Sequence, residues 1–265
     1  VDMQNFYTIY NERNNINKTK NSWEYYFKQI SNFTLEKIYN EKKLIFCDPK
    51  INLPRNFIEK RNLKRLFESN IKIKKKFFDY PNDFEKKYFT NKKVIGVHLR
   101  GTDMKITPNH SMPPTINQIF NILDKLIIKK KFNRIFLVTD QLSYLVEFKK
   151  KYKDLVCYTN CFRSNKNKIF NLKIRKNHRY KLGKESLEQM LLLSKMKYLI
   201  SSRSNLSRCA ALFSKKSIQC IEIDNGMNSK KIFYAQFKWY IKKNLPEFLG
   251  GFKKDIKIEF KRLSY

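Results

Sequence analysis

The sequence predicts an α/β protein built around a parallel, doubly wound sheet. From residue 93 onward, short apolar runs typical of buried strands alternate with longer segments whose apolar residues recur at helical spacing. Repeated strand-helix-strand units of this length favour a parallel sheet. With 265 residues, 42% of them hydrophobic, the chain has material for one large or two small domains.

The first strand-helix units are the most clearly marked. The apolar run from Val94 to Val97 is short enough for a buried strand and predicts one at 94–98. Thr115 is a predicted N-cap, and the apolar residues behind it share one helical face: Ile116, Ile119, Phe120, Leu123, Leu126 and Ile127. The next elements follow in order: a strand at 134–139, a helix capped by Ser143 and ending near Tyr152, and a shorter strand at 155–158.

The later units repeat the same alternation. A helix is predicted at 186–196, with its buried side formed by Leu187, Met190, Leu191 and Ser194. The remaining elements are a strand at 198–201, a helix at 205–213, a strand at 217–223 and an amphipathic helix at 233–245 that carries Trp239 and Tyr240.

The first ninety residues follow a different pattern. A helix at 35–41, a strand at 44–47 and a helix from Pro54 to Ser69 predict a smaller α/β unit with long connections. We therefore predict two units, 1–92 and 93–265. The chain has no internal repeat and no low-complexity linker, so we expect them to pack closely.

The formal net charge of +34 has two interpretations. In the first, the positive charge indicates an anionic partner, such as a nucleic acid, an acidic membrane surface or a phosphorylated substrate. Alternatively, it reflects AT-rich coding, which enriches Lys, Asn, Ile, Phe and Tyr and leaves only three Ala. The lysines are spread over all elements, as on a solvated surface, so we favour coding bias. Attraction to anionic substrates or lipid head groups follows as a consequence, and no nucleic-acid partner is expected.

Location and metal use are predicted from what the sequence lacks. It has no apolar run of membrane-spanning length, and its N-terminus is polar, so we expect a cytoplasmic protein, at most peripheral to a membrane. The five cysteines are scattered, and the pair Cys157 and Cys161 has no second pair at zinc-site spacing. We expect free thiols and no metal.

Two polar clusters follow predicted strands about a hundred residues apart. His98, Arg100 and Asp103 come directly after the strand at 94–98, and the cluster at 201–208 lies between a strand and a helix. Ligands of open α/β sheets bind beyond the carboxyl ends of the strands, and a helix N-terminus attracts phosphate. A guanidinium and a helix N-terminus together neutralise a diphosphate without a metal. The chain has no Asp-x-Asp pair, no Gly-x-Gly-x-x-Gly fingerprint and no Walker loop, so a nucleotide-sugar fits better than NAD or ATP.

These clusters resemble the fucosyltransferase superfamily, and within it the α1,6-fucosyltransferase and nodulation fucosyltransferase group. The resemblance runs from about residue 20 to 225 and is carried by His-x-Arg-x-x-Asp at 98–103 and Ser-Ser-x-Ser-Asn-x-Ser-Arg at 201–208. Supporting matches are the aromatic segment at 22–27, Val-Thr-Asp at 138–140 and Leu-Leu-Leu-Ser at 191–194. It implies a GT-B-like, inverting, metal-independent enzyme with a Rossmann-type donor domain at 93–265 and an acceptor-side unit at 1–92. Its donor would be GDP-fucose or a related GDP-sugar, its acceptor a glycan, and it would need no cofactor.

The resemblance also implies roles for individual residues. Arg100 is expected to hold the β-phosphate, His98 to touch the nucleotide, and the residues at the second cluster to bind the donor: Ser202, Ser204, Asn205 and Arg208. Gly101 replaces a second arginine of the α1,6 enzymes, and Arg208 is the candidate to compensate. Gln189 replaces a guanine-reading aspartate, which leaves the base open, and Pro108 replaces an acidic residue.

The general base and the accessory residues stay open. Asp103 and His110 are the candidates, because both lie in the loop after the strand and a base must reach the acceptor hydroxyl. A histidine side chain suits a general base at neutral pH, so His110 is either the base or an exposed loop histidine without that role. Asp103 is either the base or a residue that holds the loop by hydrogen bonds. Trp23, Tyr25 and Tyr26 stack on an acceptor sugar or pack in the core. The competing functions are a glycosyltransferase with another nucleotide-sugar, a glycan-binding protein without catalysis and a basic nucleic-acid-binding module.

Overall fold

The computed structural model describes residues 1–41, 57–202 and 204–263, with residues 57–62 as backbone only. Within these ranges a six-stranded sheet has the order β3-β2-β1-β4-β5-β6. Its strands are β1 (Val94–His98), β2 (Arg134–Val138), β3 (Val156–Cys157), β4 (Tyr198–Ser202), β5 (Ile218–Ile223) and β6 (Lys261–Leu263). Strands β1 to β5 pair in parallel and β6 pairs antiparallel to β5. The predicted α/β fold with a parallel sheet is confirmed.

The helices of the described residues surround this sheet. They are α1 (Ser22–Tyr26), α2 (Leu35–Tyr39), α3 (Phe57–Asn70), α4 (Asp79–Tyr88), α5 (Ile116–Lys130), α6 (Leu142–Tyr152), α7 (His178–Leu193), α8 (Asn205–Phe213) and α9 (Ile232–Asn244). Thr115 caps α5 as predicted, and Gln118 completes a capping box with it. None of these helices is long and apolar enough to cross a bilayer.

Each face of the sheet is covered by its own hydrophobic core. On one face, Val97 and Leu137 pack with Leu123 of α5. On the other face, Phe136 and Leu199 pack with residues of α7 and α8. Successive strand residues point to opposite faces, so these two cores show that the sheet is covered on both sides, as in a doubly wound fold.

The N-terminal residues share one of these cores. Tyr25, Tyr26 and Phe77 are buried in the same cluster as Phe136 of β2 and Leu192 of α7. Core packing is therefore the correct alternative for Tyr25 and Tyr26. The predicted strand at 44–47 lies outside the described residues, and the division at residue 92 stays a prediction.

The largest correction concerns α7. It begins at His178, eight residues before the predicted start, so the segment 181–185 before that start is helical. Glycine usually weakens a helix interior, which is why Gly183 favours a break in the sequence pattern. In the fold, a Cβ at Gly183 would lie 2.1 Å from the hydroxyl of Tyr26, so the glycine makes room for that ring.

A smaller correction concerns α6, where Gln141 and not Ser143 is the N-cap residue. The amide of Ser143 donates instead to Asn165 Oδ1, at 2.9 Å, so a distant loop satisfies the first turn. Helix α7 also ends at Leu193, three residues before its predicted end. Strand β1 and helix α8 have the predicted bounds, and the other predicted bounds that fall on described residues agree with the observed ones within two residues.

The strand order reverses direction between β1 and β4. These strands are neighbours in the sheet, although a hundred residues separate them, and His98 is in register with Ser201. A crevice outside the carboxyl ends of the strands is expected at such a reversal, and ligands of open α/β sheets bind there.

Candidate active site

A cleft of about 830 Å³ lies beyond the carboxyl ends of β1, β2 and β4. The structure brings into its lining all of the predicted site residues except Ser202: His98, Arg100, Asp103, His110, Gln189, Ser204, Asn205 and Arg208. The two polar clusters of the sequence therefore face one cavity. Three other lining residues, Tyr10, Asp140 and Glu185, are not predicted as site residues from the sequence.

Arg100 is held between two carboxylates. Its Nη2 donates to Asp103 Oδ1 at 2.8 Å, and its Nε lies 3.5 Å from Asp140 Oδ2. Burial lowers the pKa of Arg100, but Asp140 and Asp103 outweigh burial and leave that pKa raised, so the guanidinium stays charged. Its third nitrogen, Nη1, has no partner among the described residues and is free to donate to a ligand.

Asp140 organises the loop that carries Arg100. Besides facing the guanidinium, it accepts hydrogen bonds from the amide of Gly101 and from Thr102 Oγ1, each at 2.7 Å. The sequence contained a signal for this role, because Asp140 follows β2, the strand next to β1, at the same edge of the sheet. Its contacts join residues almost forty positions apart, and spacing along the chain does not reveal them.

Gly101 has a packing reason of its own. A Cβ at this position would lie 2.0 Å from Gln141 Oε1 and 2.7 Å from Gln141 Cβ. Gln141 in turn accepts from the amide of Thr102 at 3.2 Å. A second arginine at position 101 would displace Gln141, so the loop is built around the smaller residue.

A relay of hydrogen bonds fixes the tautomer of His98. Ser201 Oγ donates to the carbonyl of Ser202 at 2.8 Å, so it must accept the 2.6 Å bond from Ser207 Oγ. Having donated its one proton, Ser207 must accept the 2.8 Å bond from His98 Nδ1. The other ring nitrogen, Nε2, is therefore an acceptor, and it has no donor within the described part of the chain.

The charge of His98 follows from its surroundings. Burial and, to a lesser extent, the Arg100 guanidinium lower the pKa of His98 to about 3, although Asp140 opposes the shift. A neutral imidazole at physiological pH keeps the Nε2 lone pair available for a ligand N–H or O–H.

The N-terminus of α8 forms the opposite wall of the cleft. Ser204 is its N-cap, and its Oγ accepts from the amide of Leu206 at 3.3 Å. The first turn of a helix carries a partial positive charge and free amides, which attract an anion. Arg208 lines the same wall, and its guanidinium makes no ion pair or hydrogen bond in the ranges described.

The carboxylates of the lining are already paired. Asp103 and Asp140 face Arg100, and Glu185 binds Arg175 through two hydrogen bonds of 2.5 and 2.8 Å. Arg208 is thus the lining cation without a carboxylate partner among the described residues, which suits it to a charged ligand.

Gln189 presents an acceptor rather than a charge. Its Nε2 donates to Thr159 Oγ1 at 3.0 Å and to Cys161 Sγ at 2.9 Å. Its carbonyl oxygen receives no hydrogen bond from the described chain. Where an aspartate would offer a charged acceptor, this site offers a neutral one.

The two candidates for the base differ in their environment. Asp103 Oδ1 accepts from Arg100 Nη2 at 2.8 Å, so Asp103 positions the guanidinium. His110 is exposed at the cleft, and its side chain has no hydrogen-bond partner in the described residues.

Ser202 lies on the other face of the sheet. It is 2% exposed, its Oγ has no partner among the described residues, and it does not line the cleft. Alternation along β4 places Ser201 on the α8 side and Ser202 opposite. Ser202 therefore lies away from the cleft.

Two further expectations concern metals and thiols. In the part of the chain that the structure describes, no group of three or more His, Cys, Asp or Glu is placed to hold a metal ion, and Cys157, Cys161, Cys209 and Cys220 are free. Cys47 lies outside that part.

A second cavity, of about 800 Å³, is lined by Arg179, which donates a hydrogen bond there to the hydroxyl of Tyr7 and does not line the cleft.

Comparison with known proteins gives similarities in structure. No family model and no curated protein matches the chain. Among solved structures, the chain is similar to a NodZ alpha-1,6-fucosyltransferase co-crystallized with GDP (21% identity, TM-score 0.43, 61% of this chain and 48% of that one). It is also similar to fucosyltransferase NodZ from Bradyrhizobium, with 20% identity and a TM-score of 0.43 over 64% of this chain and 52% of that one. A third similar structure is POFUT1 in complex with GDP-fucose, with 9% identity and a TM-score of 0.39 over 65% of this chain and 51% of that one. The chain spans about half the length of these proteins.

Proposed function

We propose that this chain is a glycosyltransferase that moves fucose or a related sugar from a GDP-sugar to a glycan hydroxyl, with inversion and without a metal. The observation that carries the proposal is the convergence of Arg100, Arg208 and the first turn of α8 on one cleft. The motif resemblance described above supports the same assignment.

The diphosphate would bind between the two walls of the cleft. Arg100 Nη1 is free on one side, and Arg208 and the amides of α8 are free on the other. Charge-assisted hydrogen bonds of this kind contribute about 1.5–3 kcal/mol each. Arg208 would take the place of the second arginine for which Gly101 leaves no room.

The protein would recognise the nucleoside through two hydrogen-bond acceptors in the cleft. Both His98 Nε2 and the Gln189 carbonyl need a donor from the ligand, and a guanine edge carries adjacent N–H donors. This pairing supports guanine even though Gln189 carries no charge. A site with buried acceptors also discriminates against ligands that leave them unpaired.

The reaction would be a direct displacement at the anomeric carbon. The acceptor oxygen forms a bond to that carbon from one face while the bond to the diphosphate oxygen breaks on the other. The departing diphosphate keeps the electron pair, and Arg100, Arg208 and the α8 amides stabilise its charge. The acceptor hydroxyl loses its proton to His110, the exposed and unpartnered imidazole at the cleft.

The experiment is a thermal-shift series with GDP, UDP, CDP and ADP, each in EDTA and in Mg²⁺. At 100 times its Kd, a ligand adds about 2.7 kcal/mol of stability, which for a chain of this size raises Tm by about 5–10 °C. We expect GDP to do so in EDTA. Sodium pyrophosphate is the control for general anion binding to a chain of +34 charge.

The other outcomes separate the parts of the proposal. If UDP or CDP alone shifts Tm, guanine recognition is wrong. If GDP acts only with Mg²⁺, metal independence is wrong. If no nucleoside diphosphate exceeds pyrophosphate, the donor site is wrong. Incubation of the best binder with its sugar donor then tests hydrolysis or transfer.

A further inference from the structure

Helix α9 carries an exposed apolar surface. We name it the aromatic stripe and define it as Phe233, Tyr234, Phe237, Tyr240 and Ile241. Its side chains are between 37% and 70% exposed. At about 100° per residue, the stripe centres on the side of the helix opposite Ala235 and Trp239, which are buried. Single exposed apolar residues are ordinary, but a contiguous patch of this kind marks an interaction site.

The buried side of α9 holds the helix in this orientation. Trp239 is 2% exposed, and its indole N–H donates to the carbonyl of Pro113 at 2.8 Å. Its ring packs with Met112 and Phe252. Asn228 Nδ2 also donates to the carbonyl of Ala235 at 3.0 Å. Rotating the stripe inward would break these contacts, so the protein presents it to the outside.

Lysines surround the stripe. Residues 225–254 contain seven lysines and one carboxylate, Glu247. At helical spacing Lys231 and Lys238 flank one side of the stripe and Lys243 lies towards the other. None of the lysines in this segment forms an ion pair among the residues that the structure describes. Their charge is therefore available to an outside partner.

We propose that α9 docks this protein onto an anionic lipid bilayer. Aromatic and aliphatic side chains on one face with lysines beside them are the pattern of a helix that lies in the membrane interface. The stripe would enter the acyl boundary, the tyrosine hydroxyls would stay at head-group level, and the lysines would meet lipid phosphates. Phe248 and Leu249, 85% and 59% exposed just after α9, would extend the contact.

The partner class follows from charge. An acidic surface complements seven lysines in a segment with one carboxylate, and lipid tails complement an exposed Phe-Tyr-Ile face. The net charge of the chain alone would attract an anionic membrane to any part of the surface, whereas the stripe and its lysines direct this attraction to α9. It is independent of the donor site, because none of the residues of the stripe lines that cleft.

The test is sedimentation of the chain with vesicles of phosphatidylcholine alone or with 30% phosphatidylserine. We expect binding to the anionic vesicles that weakens as salt rises. The double substitution Phe233→Ser and Phe237→Ser should weaken it at least about tenfold, through lost apolar burial. The matched control is Ile128→Ser with Val146→Ser, two exposed apolar residues on α5 and α6, and it should bind like the original chain.

Three outcomes would overturn the proposal. The first is that the unsubstituted chain does not sediment with either vesicle. The second is that the Phe233→Ser and Phe237→Ser variant binds as well as the control, since charge alone would then account for binding. The third is stripe-dependent self-association in light scattering without lipid, which would make this face an interface between copies. Circular dichroism and Tm of each variant establish that it is folded.

Discussion

A single histidine shows how non-local contacts set the chemistry of a residue. His98 ends β1, while Ser201 and Ser207, which fix its tautomer, belong to β4 and α8. The imidazole is 2% exposed and has a pKa of about 3. It therefore stays neutral in the folded state under conditions where an unfolded histidine takes up a proton.

The depressed pKa of His98 predicts a loss of stability in acid. Between pH 6.5 and 3 the unfolded chain binds a proton here that the folded chain does not, so stability falls as pH decreases. The slope approaches about 1.4 kcal/mol per pH unit. Urea unfolding from pH 7 to pH 5 measures it, and His98→Asn, which keeps a donor for Ser207, should reduce the slope.

The comparison of slopes isolates this residue from the other titrating groups. The matched histidine substitution is His110→Asn, which removes an exposed imidazole, and the slope of His98→Asn should be smaller than the slope of this variant. Equal slopes for His98→Asn and the original chain would mean that His98 titrates alike in the folded and unfolded states.

Single residues also show what the sequence can and cannot predict. Arg100 and Ser204 follow strands at the sheet edge where ligands bind, and that rule predicts their position at the cleft. The motif groups Ser202 with them, but a motif does not state which face of a strand a residue occupies, and Ser202 does not line the cleft. The sequence does not indicate the contacts of Asp140, because its partners are almost forty positions away.

Among the elements, α7 joins the site to the N-terminal residues. Its middle contains Gln189 of the cleft, and Tyr26 packs against it at Gly183, where the Tyr26 hydroxyl donates to the carbonyl of Tyr180 at 2.9 Å. The packing of α7 therefore depends on the ring of Tyr26, which lies about 150 residues earlier in the chain.

We expect Gly183→Ala to destabilise the protein. In a free helix this change would stabilise by about 0.5–1 kcal/mol, because alanine is the better helix former. Here the new methyl would lie 2.1 Å from the Tyr26 hydroxyl, and overpacking of this kind costs about 1–3 kcal/mol. Urea unfolding measures the net sign. A more stable variant would contradict this packing, and Lys181→Ala, on the same helix, is the control, expected within about 0.5 kcal/mol of the original.

The elements also differ in how far local signals determine them. Helix α8 and strand β1 have the predicted bounds, because caps and apolar periodicity are local properties. Helix α7 begins eight residues before its predicted start, because a tertiary contact accounts for the glycine that suggests a break in the sequence. The cap of α6 was misassigned for the same reason, because Asn165 supplies it from a separate loop.

For the whole molecule, the dominant property is its charge of +34. Repulsion among 57 cationic side chains opposes the compact state, and 23 carboxylates offset only part of it. The carboxylates that line the cleft form ion pairs with arginines. The excess positive charge therefore lies mainly on lysines at the surface.

Screening should therefore stabilise the protein. Raising NaCl from 0.01 to 0.15 M shortens the Debye length from about 30 to about 8 Å and should raise Tm by several degrees. KCl at equal ionic strength should act alike, because screening does not depend on the identity of the cation. A Tm that falls with salt would mean that attractive ion pairs outweigh repulsion.

The central claim is that Arg100 and the α8 wall bind one diphosphate, and calorimetric titration with GDP in EDTA tests it most directly. Arg100→Ala should weaken binding about 10- to 100-fold, the loss expected for charge-assisted hydrogen bonds. Arg100→Lys, which leaves a cation between Asp103 and Asp140, should weaken it less. Arg262→Ala, which removes an equal charge from exposed β6, should bind within about twofold of the original. GDP binding by folded Arg100→Ala with the original affinity would contradict the account.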